Sequence, residues 1–192
     1  EAMPQPDHIS ALGVPDPGGL DDDLKAIWTK CVEKLGFVPN VFSMYSLKPQ
    51  RLRNFMAMYN EIMLSKSGLS KLEREMVAVV VSSANRCYYC LVAHGAAVRQ
   101  LSGDPELGEM MALNYRVAKL DVRQRAMLDY AWKLTTAPHT VDDADREGLR
   151  AAGLSNEDIF DLSETAAFFN LSNRMASGTD MMPNREYHRA AR

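Results

Sequence analysis

Apolar residues recur along most of this chain at helical spacing. Leu24, Ile27, Trp28, Cys31, Val32 and Leu35 fall at i, i+3, i+4, i+7, i+8 and i+11, the stripe of an amphipathic helix. Asp21, Asp22 and Asp23 precede it, where negative charge suits a helix N-terminus, and Gly36 follows as a stop. Pro39-Asn40 opens a short element around Val41, Phe42 and Tyr45. Leu52 to Leu64 repeats the stripe with Leu52, Phe55, Met56, Tyr59, Ile62 and Met63, and Ser67-Gly68 ends it. Ser70 with Glu73 three residues on is a capping box. The helix it starts is apolar nearly all round after Glu75, so it is expected to be buried. Asn85-Arg86 marks a break, and a further helix is expected from Cys87 to about Leu101. Gly103-Asp104-Pro105 is a turn, and helices are expected near 106–118, 121–135, 142–151 and 155–177. No segment alternates at period two, so the fold class is all-α. Residues 1–20, rich in Pro and Gly, read as an extended N-terminal arm wrapping its own or a neighbouring subunit; residues 21–192 read as a single domain.

The pattern contains an echo. Leu69-Ser70 followed by Glu73 resembles Leu154-Ser155 followed by Asp158, and the same offset of 85 aligns Asn85 with Asn170. In the second copy Cys87 becomes Ser172 and Cys90 becomes Met175. Two readings stand: a duplicated helical unit whose second copy, after an Asn-containing break, lacks the chemistry, or two unrelated capped helices.

Composition narrows the partners. Lys and Arg number 22 against 25 Asp and Glu, a net charge of −3, so no positive field attracts phosphates and nucleic acid is not the expected partner. No apolar run approaches the roughly 18 residues that span a bilayer. No basic stretch runs into an apolar one near the N-terminus, so the cytoplasm is the expected compartment. Three cysteines do not make a disulfide scaffold there, and their spacing matters more than their number. Cys31 lies on the first stripe and reads as core packing. The methionines Met56, Met63, Met76 and Met127 read as core filler. Met110-Met111 and Met181-Met182 fit either a subunit interface or internal packing. His8 and His139 read as loop residues without partners, Arg86 as solvated, and His188 as a tail residue that could reach a neighbouring subunit.

The chemistry concentrates at Cys87-Tyr88-Tyr89-Cys90 and His94. On a helix, Cys87 and Cys90 at i and i+3 share a face with Cβ atoms roughly 5–6 Å apart, and His94 continues that face one turn on. A free thiol with pKa about 8.5 is only a few per cent thiolate at neutral pH. Half-ionisation needs a shift of about 1.5 units, or about 2 kcal/mol. A helix N-terminus supplies only about 0.3–1 kcal/mol, so a nearby base matters. His94 is one candidate, and Glu75 on the preceding buried helix is the other. Glu75 as a bare anion would raise the thiol pKa, so the two are expected to act as a Glu75–His94 relay. A tetrahedral zinc set of Cys87, Cys90, His94 and Glu75 is the alternative, although structural zinc usually takes its second ligand pair from a distant motif.

Glu75, Cys87-x-x-Cys90 and His94 together resemble the pattern of the alkyl hydroperoxidase D (AhpD) and carboxymuconolactone decarboxylase superfamily, close to its peroxidase-related branch. The core of the likeness runs from about Leu69 to Leu101. Phe37-Val38-Pro39-Asn40 and Pro183-Asn184-x-Glu186-Tyr187-His188 extend it toward both ends. The resemblance implies an all-α AhpD-like fold assembled as a homo-oligomer, trimer-based or hexameric. It implies a cysteine-dependent peroxidase with no cofactor and no metal, acting on hydroperoxides with a dithiol, lipoyl or thioredoxin-like reductant. Carried over, Cys90 attacks the peroxide, Cys87 resolves, and Glu75 with His94 forms the proton relay. AhpD members carry a histidine just before the second cysteine; here Tyr89 stands there, so the expected relay is shorter. A decarboxylase of the same superfamily needs no cysteine pair. A non-enzymatic redox sensor or disulfide-exchange protein would oxidise once and stop.

Overall fold

The computed structural model describes residues 3–192; of the expected N-terminal arm, positions 1 and 2 lie outside it. Nine α-helices and short 3-10 turns make up the described residues, with no strand among them, so the all-α expectation holds. They are α1 (Asp22–Leu35), α2 (Asn40–Tyr45), α3 (Pro49–Leu64), α4 (Lys71–Ala84), α5 (Tyr88–Ser102), α6 (Pro105–Asn114), α7 (Val122–Thr136), α8 (Asp143–Ala151) and α9 (Asn156–Gly178). No helix among the described residues is long and apolar enough to cross a membrane.

The caps follow the sequence. Gly36 ends α1 at φ 82°, and its N–H donates to Val32. Ser70 and Glu73 bond reciprocally at 3.0 and 2.9 Å, and Ser155 with Asp158 does the same for α9. Helix α4 is the centre of the molecule, packed on α5, α6, α7 and α9. Every residue from Arg74 to Ser82 is buried, because Val77, Val79, Val80 and Val81 meet apolar neighbours on all sides. Each such side chain contributes about 1.5–3 kcal/mol.

The α4–α5 junction is built from backbone hydrogen bonds. Arg86 N–H donates to Ser83 O at 3.1 Å and Cys87 N–H to Ser82 O at 2.9 Å, the paired bonds of a Schellman motif. Arg86 holds the left-handed position with φ 53°, although it is not glycine. The next residue, Cys87, is already the N-cap of α5. The chain thus stops one buried helix and starts another within three residues.

Four expectations need correction. No break occurs at Asn170: α9 runs through it, because the Asn170 side chain donates to Ala166 O at 2.9 Å, within the helix. The stripe on α1 is only partly covered. Only Leu24 is buried, Val32 and Leu35 are exposed, and Cys31 is partly exposed rather than core. Leu24, Ile27 and Trp28 pack against Phe42 of α2 and Leu52 and Met56 of α3, and the stripe runs out of cover toward Val32 and Leu35. His8 has a partner, Asp180 Oδ2 at 2.9 Å. His188 meets Tyr88 and Gln5 of its own chain at 3.2 and 3.0 Å. The described part of the arm lies on its own C-terminal segment, with Ala11 N–H donating to Thr179 O and Met182 N–H to Ile9 O. Met111 and Met181 are buried within the subunit.

Candidate active site

Cys87 and Cys90 begin α5 against α4 and α9, and each is 2% exposed. The sequence placed His94 one turn beyond Cys90 and Glu75 on the buried helix alongside. The structure joins these last two directly: His94 Nδ1 lies 2.6 Å from Glu75 Oε2. Glu75 is itself 7% exposed. A carboxylate accepts, so Nδ1 carries the proton and Nε2 is left to exchange one. The His94 ring is held edge-on to Phe169, with centroids 4.7 Å apart.

Cys90, His94 and Glu75 line one cavity of about 260 Å³, and Cys87 does not border it. That is just below the usual range for small-molecule pockets, so it fits a compact ligand. Its walls are mainly apolar and come from distant parts of the chain: Phe42 on α2, Phe55 and Tyr59 on α3, Phe168 and Phe169 on α9. Tyr187, from the C-terminal segment, adds another face. Two short stretches outside the cysteine core hold that segment in place. Asn184 Oδ1 accepts from Asn40 N–H at 2.7 Å, Asn184 Nδ2 donates to Val38 O at 2.8 Å, and Asn40 Nδ2 donates to Met182 O at 2.8 Å. Phe37 packs edge-on to Tyr187 at 5.1 Å. The buried Arg99 secures the tail from below through Tyr187 O and Ala190 O.

The two thiols differ. Cys87 is lowered to about 7, first by the Cys90 thiol beside it and then by the Cys90 backbone amide and His94, all against the opposing effect of burial. Cys90 is pushed well up, because its proton is held toward Cys87 and because it is buried. When the pair loses its first proton, the charge therefore settles on Cys87. Tyr89, in the place of the family histidine, also lines the cavity; its hydroxyl accepts from Val41 N–H at 3.1 Å, and burial raises it well above the ordinary phenol value. The four side chains of the zinc alternative do not gather into a ligand set. Among the described residues no group of three or more His, Cys, Asp and Glu side chains is arranged to hold a metal ion.

Sequence reasoning missed the aromatic walls and two polar residues behind the thiols, Ser82 on α4 and Asn173 on α9. The only signal for Asn173 was its place inside a long apolar helix, where asparagine is a poor helix former.

Comparison with known proteins places this geometry. The sequence profile of the carboxymuconolactone decarboxylase family matches residues 49–127. An uncharacterized peroxidase-related protein from Silicibacter sp. TM1040 is 55% identical over 100% of both chains, with a TM-score of 0.94. An uncharacterized peroxidase-related protein from Ralstonia eutropha JMP134, described as an alkylhydroperoxidase AhpD core, is 43% identical. It covers 100% of this chain and 98% of its own, with a TM-score of 0.93. The debrominase Bmp8 shares the fold at 17% identity, over 95% of each chain, with a TM-score of 0.78. Among curated proteins no relative matches.

Proposed function

The chain belongs to the AhpD-like carboxymuconolactone decarboxylase superfamily, and we propose that it is a thiol-dependent peroxidase reducing hydroperoxides through Cys90 and Cys87. The observation that carries this reading is Cys90 and the Glu75–His94 pair bordering one mainly apolar cavity. A redox sensor needs an oxidisable thiol; it does not need a substrate-sized cavity with a proton relay in its wall.

The reaction proceeds in four steps. Proton transfer across the Cys90–Cys87 contact makes Cys90 the anion. Its sulfur attacks the distal oxygen of ROOH, the O–O bond breaks, and the alkoxide takes a solvent proton relayed through His94 Nε2, leaving ROH and Cys90 sulfenic acid. Cys87 thiol then attacks that sulfur, water leaves, and the Cys87–Cys90 disulfide forms. An external dithiol of the lipoyl or thioredoxin class reduces the disulfide by exchange and is itself oxidised. Glu75 fixes the His94 tautomer and stabilises its cationic form during the proton transfer. The exposed Val32 and Leu35 at the end of the α1 stripe support a homo-oligomer.

Steady-state turnover of cumene hydroperoxide with dithiothreitol or dihydrolipoamide tests the reading. The parent protein is expected to turn over and Cys90→Ser to show none. Turnover by Cys90→Ser at the parent rate would remove Cys90 from the reaction.

A further inference from the structure

The cavity beside Cys90 is walled by two phenols that the proposed reaction does not use, Tyr59 of α3 and Tyr187 of the C-terminal segment. Tyr59 is wedged among rings, with centroids 6.3 Å from Phe55, 6.1 Å from Phe168 and 6.5 Å from the His94 imidazole. Tyr187 is set by its edge-on contact with Phe37 and by the bond from Arg99 to its backbone carbonyl. Packing holds both rings, and what remains free is the hydroxyl.

Other tyrosine hydroxyls of this chain are engaged. Tyr88 bonds to Gln5 and His188, Tyr89 accepts from Val41 N–H, Tyr115 donates to Asp129, and Tyr130 meets Ser163. Among the described residues the hydroxyls of Tyr59 and Tyr187 have no such partner. Neither is sealed inside protein, because the one sealed side-chain polar atom without a partner there is Arg74 Nε. A buried, unbonded hydroxyl in a cavity wall that is still open to space faces the cavity. Tyr45 also lacks a partner, but it does not border the cavity. Burial pushes Tyr59 well above the ordinary phenol value and Tyr187 up to about 12, so each keeps its proton at neutral pH and is a donor.

No lysine or arginine lines the cavity, and Glu75, bonded to His94, is an acceptor. Among apolar walls an oxygen that gains charge is costly unless donors are already aimed at it. We infer that Tyr59 is a substrate-binding residue, its hydroxyl donating a hydrogen bond to the oxygen of the molecule in the cavity, with Tyr187 as a second donor. In the peroxidase reaction that atom is the proximal oxygen of ROOH, which takes the negative charge when the O–O bond breaks. The phenols hold the anion and keep their own protons; His94 relays the proton that neutralises it. The ligand class that follows is compact and neutral, with an apolar body and one oxygen group; a carboxylate would meet no cation.

This inference deepens the proposed peroxidase reading and rests on it only for its effect on rate. Tyr59→Phe keeps the ring and removes the donor. Two reactions of Cys90 are compared in the fully reduced protein, with the product identified by mass. Cumene hydroperoxide oxidises the sulfur and releases an oxygen anion. Methyl iodide transfers its methyl group to the sulfur, iodide leaves, and no oxygen takes part. Tyr59→Phe is expected to slow the oxidation by at least about tenfold and to leave the methylation within about twofold of the parent. Tyr187→Phe is expected to act in the same direction. An unchanged oxidation rate in Tyr59→Phe, or an equal fall in both reactions as from a disturbed cavity, overturns the inference.

A second measurement needs no peroxide chemistry. Titration calorimetry follows cumyl alcohol, the product that cumene hydroperoxide leaves, into the reduced protein. Tyr59→Phe is expected to bind it about three- to tenfold more weakly than the parent. Equal affinity, or no binding to the parent, overturns the inference. Weaker binding by the variant of a protein that consumes no hydroperoxide would support Tyr59 and sink the peroxidase reading, so the two fail separately.

Discussion

Asn85 and Asn170 stand 85 residues apart and hydrogen-bond to each other at 2.9 Å, yet the chain behaves in opposite ways around them. Both follow a helix opened by a Ser-capped box. After Asn85 the helix ends, Arg86 turns left-handed and Cys87 caps a new one. After Asn170 the helix continues for two more turns to Gly178. The position matching Cys87 is therefore the interior residue Ser172, whose backbone N–H is already used in α9. The position matching Glu75 is Phe160 (75 + 85 = 160), which is exposed. The difference teaches what the break is for. A thiol at a helix interior meets no free amides, whereas a thiol at a helix start meets several. The second unit contributes its interior side chains instead, Phe168 and Phe169 to the cavity wall and Asn173 to Ser82 and Asn85 of the first unit.

The comparison is broken most severely by giving the first unit the residue found in the second. Cys87→Ser leaves the cavity, Cys90 and the relay in place and removes the thiol that resolves the sulfenic acid. Sustained turnover with dihydrolipoamide is expected to be lost. One equivalent of hydroperoxide should still be consumed per chain, more slowly because Cys90 has lost the thiolate that takes its proton, with a sulfenic acid trapped by dimedone at Cys90. A dimedone-free Cys90 after that equivalent would contradict its place as the attacking sulfur.

A smaller loss is expected at the relay. Glu75→Gln keeps a hydrogen bond to His94 and removes the charge that stabilises the protonated ring. Positioned acid–base catalysis contributes at least about 10²-fold, so the rate of Cys90 oxidation in a stopped-flow mixing experiment should fall by about that factor. A rate within twofold of the parent would mean that the leaving alkoxide takes its proton from elsewhere.

These residues also mark how far the sequence could be read. The helices were legible because the 3.6-residue stripes and the two capping boxes are local, and each cap formed as the pattern required. The cysteine pair and His94 were legible because i, i+3 and i+7 share a face. Glu75 was singled out as a candidate base on the buried helix before the cysteines, and its carboxylate lies 2.6 Å from His94 Nδ1. The cavity walls were not legible, since Phe42, Tyr59, Phe169 and Tyr187 meet only through tertiary packing. Nor was Asn173, whose amide has its meaning from Asn85 and Ser82 on another helix. The exposed face of α1 shows the same limit: periodicity says that a helix has an apolar side and is silent on what covers it.

The finest test asks whether the two units differ in backbone conformation where they align. Arg86 corresponds to Leu171 (86 + 85 = 171). At Arg86 a non-glycine residue sits at φ 53°, a conformation that costs about 1–2 kcal/mol for an L side chain. Arg86→Gly relieves that strain but loosens the unfolded chain by about 0.5–1 kcal/mol, so the two effects nearly cancel. Its melting temperature should stay close to that of the parent. Leu171 lies inside α9 with its side chain 47% exposed, so no strain is relieved and the helix loses about 1 kcal/mol or slightly more. For a chain of this length Leu171→Gly should melt about 2–4 °C lower. Equal melting temperatures for the two variants would mean that the chain does not turn left-handed at Arg86. The free start of α5, on which the acidity of Cys87 depends, would then have to be drawn differently.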